Sequence, residues 1–156
     1  MPEATPRNRD YELWVLLDQV ATLILNARDQ ELSQYGTTAM QAGVLFVTTQ
    51  VGNETTPAEI SRWILRKPSS VTGILDRMER AGLIKRTKDL PRRNLVRITL
   101  TDRGQKVYKQ SLKRGTIRRI MSALSEEECE QLASLLEKLR AEAAKVAGVK
   151  HRIPFP

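Results

Sequence analysis

Apolar residues return at helical spacing along the first part of the chain. Between Tyr11 and Glu31 they recur every three or four positions, which predicts a long amphipathic helix. Gly36 interrupts the pattern, and Thr38 is a suitable N-cap for a second helix that continues to Val51. The apolar positions of the first helix are Leu13, Leu16, Leu17, Val20, Leu23, Ile24 and Ala27.

Two helices separated by a tight turn are predicted next. Thr56 is a cap residue with Pro57 at the first helical position and Glu59 three residues after the cap, the pattern of a capping box. This helix is expected to end near Leu65. Pro68 opens the next helix, because proline suits a first turn and pushes the residue before it out of the helical region. The pair predicts a helix-turn-helix.

The second helix of the pair has one apolar face and one polar face, and Gly82 ends it. The positions predicted to point inward are Val71, Ile74, Leu75 and Met78. The positions predicted to point outward are small, polar or basic: Ser69, Ser70, Thr72, Gly73, Asp76, Arg77 and Arg80.

A hairpin with a basic tip follows. Residues Lys85 to Lys88 and Leu95 to Thr101 are predicted strands, and the second alternates apolar and polar positions. The connection from Asp89 onward includes Arg92 and Arg93. Helix-turn-helix and hairpin together form a winged helix-turn-helix, whose second helix enters the major groove of DNA.

Two further helices complete the predicted architecture. Thr101 caps a very basic helix that we expect to continue without a break to about Leu124, and Ser125 caps the last helix. Its seam of apolar residues at alternating spacings of three and four needs a partner, and spacing alone fits the chain's own first helix as well as a second subunit. The seam consists of Cys129, Leu132, Leu136, Leu139, Ala143 and Val146.

Positive charge is concentrated in one block. The 156 residues carry a net charge of +8, but the segment from Arg62 to Arg119 contains 18 lysines and arginines against four acidic residues. The rest of the chain is net acidic. Such a block favours a polyanionic partner, and DNA fits the predicted helix-turn-helix.

The sequence offers few residues for other chemistry. Cys129 is the only cysteine and His151 the only histidine, so we expect no metal site, no cofactor and no enzyme activity. Cys129 lies in the apolar seam, where a small hydrophobe is expected rather than a redox sensor. No run of about 18 apolar residues and no apolar signal core are present, which predicts a cytoplasmic protein without a membrane partner.

Two stretches resemble the MarR family of regulators: Ser70 to Ile84 is similar to the recognition helix of that family, and Val96 to Gly104 to its second wing strand and the following helix start. The resemblance extends over nearly the whole chain. It implies a mainly α fold with a small β-hairpin wing: a winged helix-turn-helix domain plus dimerisation helices. The implied organisation is a single MarR-like domain, 1–156, with dimerisation helices at 10–35 and 102–147 and a DNA-binding lobe at 38–101.

The resemblance also implies which residues contact DNA. At the wing tip the family often has Asp-x-Arg, whereas this chain has Pro91 followed by two arginines, so either arginine could enter the minor groove. Asp76 is expected to orient a basic neighbour, and the alternative for Arg77 is a surface ion pair with Asp76 or Glu79. The expected DNA contacts are Ser69, Ser70, Thr72, Gly73, Arg77, Lys88, Arg92, Arg93 and Asn94.

Two further sites follow from the resemblance. Tyr11, Trp14, Tyr35 and Phe46 are candidates for a pocket that takes a small aromatic or other apolar effector, with simple core packing as the alternative. The expected homodimer interface includes Leu13, Leu17, Leu132, Leu136, Leu139 and Val146.

The functional hypothesis is therefore a sequence-specific transcriptional regulator, expected to be a repressor, that binds a pseudo-palindromic operator as a homodimer and is released by a small effector. The alternative is a winged helix that docks proteins and binds DNA without sequence preference.

Overall fold

A computed structural model describes residues 8–91 and 95–154. Within them the helices are α1 (Arg9–Ser33), α2 (Ala39–Val51), α3 (Pro57–Ile64), α4 (Pro68–Arg80), α5 (Asp102–Ser111), α6 (Gly115–Met121) and α7 (Glu126–Val146). The strands β1 (Ile84–Thr87) and β2 (Arg97–Leu100) form an antiparallel hairpin, and a 3₁₀ turn covers Gly52–Glu54. The predicted fold class, mainly α with a small hairpin wing, is confirmed.

The main core lies between α2, α3, α4 and the hairpin, in the segment 38–101 that is predicted to form the DNA-binding lobe. All four predicted inward positions of α4 are buried, and each large aliphatic side chain removed from water contributes about 1.5–3 kcal/mol to folding. The apolar stripe therefore sets which face of α4 remains outside. The largest fully buried side chains of this core are Leu45, Ile60, Leu75, Met78, Leu83, Ile84 and Ile98.

Helices α2, α3 and α7 begin where the sequence predicts. The hydroxyls of Thr38 and Thr56 each accept from a backbone N–H three residues on, at 3.2 Å. Ser125 and Glu128 form a complete capping box. At α3 the Glu59 carboxylate instead accepts from the indole of Trp63 at 3.1 Å and pairs with an arginine one turn away. Satisfied N–H groups at these ends account for the agreement.

Hydrogen bonds join the two strands of the hairpin to each other and join β2 to the loop before α3. Ile84 pairs with Leu100, and the N–H of Ile98 donates to the carbonyl of Thr55, 2.8 Å away, in the loop before α3. β1 begins one residue earlier than predicted and β2 is shorter. At the start of α5, a Cβ on Gly104 would lie 2.0 Å from the carbonyl oxygen of Leu83, so no larger residue fits there without movement.

The prediction of one long basic helix from Thr101 to Leu124 is wrong. α5 ends at Ser111, Arg114 adopts a left-handed conformation with φ of 48°, and α6 begins at Gly115. Side chains of α1 satisfy the backbone at the break: Arg28 donates to the carbonyl of Ser111 at 2.5 Å, and Glu31 accepts from the N–H of Thr116 at 3.0 Å. Helical periodicity cannot reveal partners supplied by a distant helix.

The seam of α7 is not covered by any part of the chain that the structure describes. Leu132, Leu136, Leu139 and Val146 are exposed, Cys129 is half-buried, and no residue of α7 is buried. Leu13 and Leu17 on α1 are exposed as well. The alternative that the seam packs on the chain's own first helix is therefore not what the structure shows. None of the described helices is long and apolar enough to cross a membrane.

Candidate nucleic-acid interface

The outer face of α4 presents small polar side chains at its start. Ser69, Ser70 and Thr72 are exposed in the first two turns after Pro68. The hydroxyl of Thr72 donates to the carbonyl of Pro68 at 3.1 Å, which leaves its oxygen lone pairs outward. Short side chains at a helix N-terminus allow close approach of the backbone to DNA, as a groove-reading helix needs.

Arg77 lies along this same face. Its Nη1 is 3.6 Å from where a Cβ on Gly73 would be, so the glycine leaves the guanidinium room to lie against the helix. Arg77 is exposed and forms no ion pair with any residue in 8–91 or 95–154. The alternative of an ion pair with Asp76 or Glu79 fails because both acids bind another arginine.

That arginine is Arg86, on β1 of the wing. Its guanidinium is 2.8 Å from Asp76 Oδ1 and 2.7 Å from Glu79 Oε2, and its backbone N–H donates to Glu79 at 3.1 Å. The side-chain and backbone hydrogen bonds from Arg86 lower the pKa of the Glu79 carboxyl. We call these three residues the wing clamp. The expected role of Asp76, orienting a basic neighbour, matches this geometry.

Arg66 lies beside the polar face of α4 and was not among the residues predicted from the sequence to contact DNA. It lines a shallow depression on the outer face of α4 together with Ser69, Ser70, Gly73 and Arg77. Its position two residues before Pro68, inside the turn of the helix-turn-helix, was the available signal. The structure thus adds a second cation to the polar face of α4.

The base of the wing is held by a second ion pair. Asp89 is 2.9 Å from Nε of Arg97, which also donates to the carbonyl of Asn53 at 2.5 Å. The hydrogen bond from Arg97 lowers the pKa of the Asp89 carboxyl. Lys88, the residue after β1, is exposed. The expected contacts Arg92, Arg93 and Asn94 lie outside the described residues.

The four aromatic residues predicted for an effector pocket do not converge in this chain. Tyr11 and Trp14 pack on each other, with ring centroids 5.5 Å apart, and each is about three-fifths exposed. Tyr35 lies under the ammonium of Lys113, 5.5 Å away. Phe46 alone of the four lines the cavity between α1 and the lobe. Spacing along a helix does not reveal which end of it meets the lobe.

That cavity, which we call the Phe46 cavity, has a volume of about 500 Å³. Its walls are mostly apolar, and the guanidinium of Arg114 lies 6.0 Å from the centre of the Phe46 ring. Arg114 owes this position to the break between α5 and α6. The other main wall residues are Ile24, Leu25, Arg28, Tyr108 and Ile117.

Comparison with known proteins follows this geometry. The family model described as "MarR family" matches residues 35–93. The transcriptional regulator PecS of Dickeya dadantii is 31% identical over 129 residues, which cover 79% of this chain and 76% of PecS. The chain belongs to the MarR family. The transcriptional repressor MdtR of Bacillus subtilis is 37% identical over 90 residues, and the match spans 56% of this chain and 57% of MdtR.

Solved structures agree with this membership. The ligand-free organohalide-sensing regulator RdhR superposes with a TM-score of 0.87 at 29% identity, covering 100% of this chain and 98% of that one. MepR of S. aureus, solved with DNA, superposes with a TM-score of 0.75 at 26% identity over 87% of this chain and 98% of that one. The predicted family and the predicted class, a transcriptional regulator, are confirmed.

Proposed function

We propose that this MarR-family protein is a transcriptional repressor that binds a pseudo-palindromic operator as a homodimer, with α4 in the major groove. The observation that carries the proposal is the outer face of α4, where Ser69, Ser70 and Thr72 are exposed beside two cations, Arg66 and Arg77. No acid in 8–91 or 95–154 forms an ion pair with either cation. Hydroxyl and guanidinium groups are among the side-chain groups that contact the phosphates and base edges of DNA.

The wing clamp supports the same function. By binding both acids of α4, Arg86 removes negative charge from the face that approaches DNA and fixes β1 against the groove helix. In a winged helix-turn-helix the wing reaches the backbone or minor groove beside the recognition helix, and the clamp holds β1 next to α4 as this requires. The relative MepR was solved with DNA, and MdtR is a repressor.

A homodimer follows from the exposed seam. Leu136 and Leu139 are 40% and 54% exposed on α7, and apolar residues of α1 are exposed as well. A helix with such a stripe is stable when a second helix covers it. Two copies related by a twofold axis then present two α4 helices to half-sites about one helical turn apart.

The Phe46 cavity fits a small apolar or aromatic effector. A volume of about 500 Å³ is in the range of small-ligand sites, and the walls join α1 to the DNA-binding lobe. A ligand there would change the position of the DNA-binding lobe relative to α1. The distance between the two α4 helices of the dimer would change as a result. RdhR was also solved in a 2,4-dichlorophenol-bound form. A regulator of this kind acts on the chromosome in the cytoplasm and needs no catalysis.

Fluorescence anisotropy tests the proposal. The full chain is titrated onto its own upstream intergenic duplex and onto a scrambled duplex at two salt concentrations. We expect binding to the upstream duplex to exceed the scrambled one by about 10³-fold or more and to fall steeply with salt. Arg77→Ala should weaken specific binding by about 1–3 kcal/mol, whereas Arg80→Ala on the same helix serves as the matched control.

Equal and weak binding to both duplexes, with genome-wide selection also failing to enrich a site, would contradict the proposal. That result would favour the protein-docking alternative, since a docking module needs no sequence preference.

A further inference from the structure

The chain passes from the DNA-binding lobe to α6 and α7 through one short segment. α5 packs on α2 and β2 of the lobe, and its Val107 is buried against the main core. α6 packs on α1 instead, and α7 follows with its exposed seam. Residues 112–114 join α5 to α6, and the other covalent connection of the lobe to this part is the loop 34–38 between α1 and α2. The angle between α5 and α6 therefore affects how the lobe is oriented relative to α6 and α7.

The last turns of α1 bind both sides of this joint. Arg28 donates to the carbonyl of Ser111 at the end of α5, 2.5 Å away, and Glu31 accepts from the N–H of Thr116 in the first turn of α6 at 3.0 Å. Arg28 and Glu31 also form an ion pair with each other. A continuous path of hydrogen bonds thus leads from the backbone of α5 through two side chains of α1 to the backbone of α6.

This end of α1 is itself bound to the lobe. Asp29 Oδ1 accepts from the N–H of Ala39 at the start of α2, 2.6 Å away, and Leu32 is completely buried. Together with the bond from Arg28 to α5, these contacts fix the end of α1 relative to the lobe. The Glu31 carboxylate then ties α6 to that fixed end. We call Arg28, Asp29 and Glu31 the α1 junction.

The ion pair of the junction is shielded from water. The side chains of Arg28 and Glu31 are 10% and 15% exposed, so water competes little for their hydrogen bonds. Burial by itself raises the pKa of the Glu31 carboxyl, but the hydrogen bonds from the N–H of Thr116 and from Arg28 outweigh it, and the pKa is lowered. The carboxylate therefore stays ionised at neutral pH, and its charge-assisted hydrogen bonds are stronger than neutral ones.

The backbone between α5 and α6 is that of a hinge. Arg114 has φ of 48°, a conformation that is unfavourable for a residue with a side chain. At Gly115 a Cβ would lie 3.3 Å from Glu31 Oε1, so the glycine lets the carboxylate approach the start of α6 closely. Hinges are a few loop residues that absorb changes of backbone angle, and residues 112–114 are such a segment, held at both ends by α1.

The angle at this joint matters for a twofold dimer on DNA. One base pair added between two half-sites moves them apart by about 3.4 Å and rotates one relative to the other by about 35°. A dimer whose lobes are held at a fixed angle fits one separation of half-sites. A dimer whose lobes turn freely about residues 112–114 fits several.

We propose that the α1 junction sets the half-site separation that the dimer recognises, with Glu31 as a positioning residue that acts without contacting DNA. The inference rests on the proposed function, which supplies the dimer and the twofold operator, and adds the residues that determine one part of its specificity. Glu31 is the residue to test, because Arg28 also lines the Phe46 cavity.

The first measurement needs no DNA. Nitroxide labels at Arg80→Cys on α4, in a Cys129→Ala background without the native thiol, give the distance between the two α4 helices of the dimer by double electron–electron resonance. We expect a narrow distance distribution with the junction intact and a distribution at least about twofold wider after Glu31→Ala. Gln30→Ala, the exposed neighbouring position of α1, is the matched control and should keep the narrow distribution. Equal widths with and without Glu31 would overturn the proposal.

The second measurement is operator binding by anisotropy. The duplexes are the operator selected by the wild-type chain and two versions with the half-sites one base pair closer together or farther apart. We expect the wild type to lose at least about tenfold in affinity on both altered duplexes, and Glu31→Ala to lose at most about threefold. Gln30→Ala should behave as the wild type. A variant that is only less stable binds all three duplexes less well by the same factor, so the ratio between spacings separates positioning from stability.

Each outcome distinguishes the inference from the proposed function. A folded Glu31→Ala protein that keeps the wild-type ratio would overturn the inference and leave the proposed function intact. A wild-type chain that selects no operator, or whose affinity does not depend on the spacing, would refute the proposed function, and the distance measurement would then decide on the junction. If Glu31→Ala unfolds, Glu31→Gln, which keeps one acceptor oxygen, replaces it in both measurements.

Discussion

Helices α4 and α7 carry similar apolar stripes, but the stripe of α4 is buried and that of α7 is exposed. The stripe of α4, including Val71 and Met78, is completely covered by its own lobe, whereas that of α7, including Leu136 and Leu139, remains exposed. In α4 the polar face is therefore what remains for a partner. In α7 the apolar face itself remains. The stripe shows that a face must be covered, but only the tertiary structure shows whether the same chain covers it.

The largest expected effect comes from the α7 seam. Leu136→Arg combined with Leu139→Arg places two charges in the proposed dimer interface, where like charges from the other subunit would meet them. We expect a monomer by light scattering and a loss of operator affinity of more than about 100-fold, because a single lobe contacts one half-site. Ser134→Arg on the outer face of α7 is the control and should remain dimeric. A double variant that stays a dimer would mean that the seam has another role.

The second prediction concerns how the packing at Gly104 contributes to the free energy of unfolding of the DNA-binding lobe. Gly104→Ala places a Cβ against the carbonyl of Leu83, and overpacking of this kind costs about 1–3 kcal/mol. Gly43→Ala, in α2 with open space around it, should be neutral or stabilising by up to about 1 kcal/mol. Urea unfolding followed by circular dichroism measures both. Equal stabilities would show that the backbone at Gly104 moves without cost.

A smaller effect concerns how the lobe holds its wing. Arg86→Met should release β1 from α4 and return two negative charges to the groove face, so we expect operator affinity to fall by about tenfold. Lys85→Met is the control, because it removes one positive charge at the exposed neighbouring position and leaves the wing clamp intact. If both variants lose the same affinity, then net charge and not the clamp explains the loss.

The same clamp predicts a pH dependence. Because Arg86 lowers the pKa of Glu79, the clamp stabilises the folded state fully above the ordinary pKa of 4.5, and this contribution is lost as the pH falls through the lowered value. The stability difference between the wild type and Glu79→Gln, measured by urea unfolding from neutral to acid pH, should therefore shrink at the acid end. A difference that stays constant over this range would contradict the assigned cause of the shift.

The smallest effect tests the outer face of α4. Thr72→Ala removes one hydroxyl whose lone pairs face outward, so the total affinity should change only a few-fold while the preference among operator variants changes. Thr49→Ala, an exposed threonine of α2 whose hydroxyl likewise bonds one turn back, is the control. Sequence selection with both proteins separates a change of preference from a change of overall affinity.

Much of the fold was predictable because local rules act within a few residues. The caps at Thr38, Thr56 and Ser125 each satisfy nearby N–H groups, and the stripe of α4 follows from helical spacing alone. The exposed polar face of α4 and the block of positive charge could be seen for the same reason. By itself the sequence thus determined the helix-turn-helix, the hairpin and the nature of their partner.

What the tertiary structure decided depends on residues far apart in the chain. At the break before Gly115, Arg28 and Glu31 reach the backbone from α1. Arg77 has no ion pair within the described residues, since Arg86 binds both neighbouring acids. Phe46 lines its cavity without Tyr11, since one end of α1 meets the lobe and the other does not. Periodicity reports which face of an element is apolar, whereas partners at long sequence separation are set by how the elements pack.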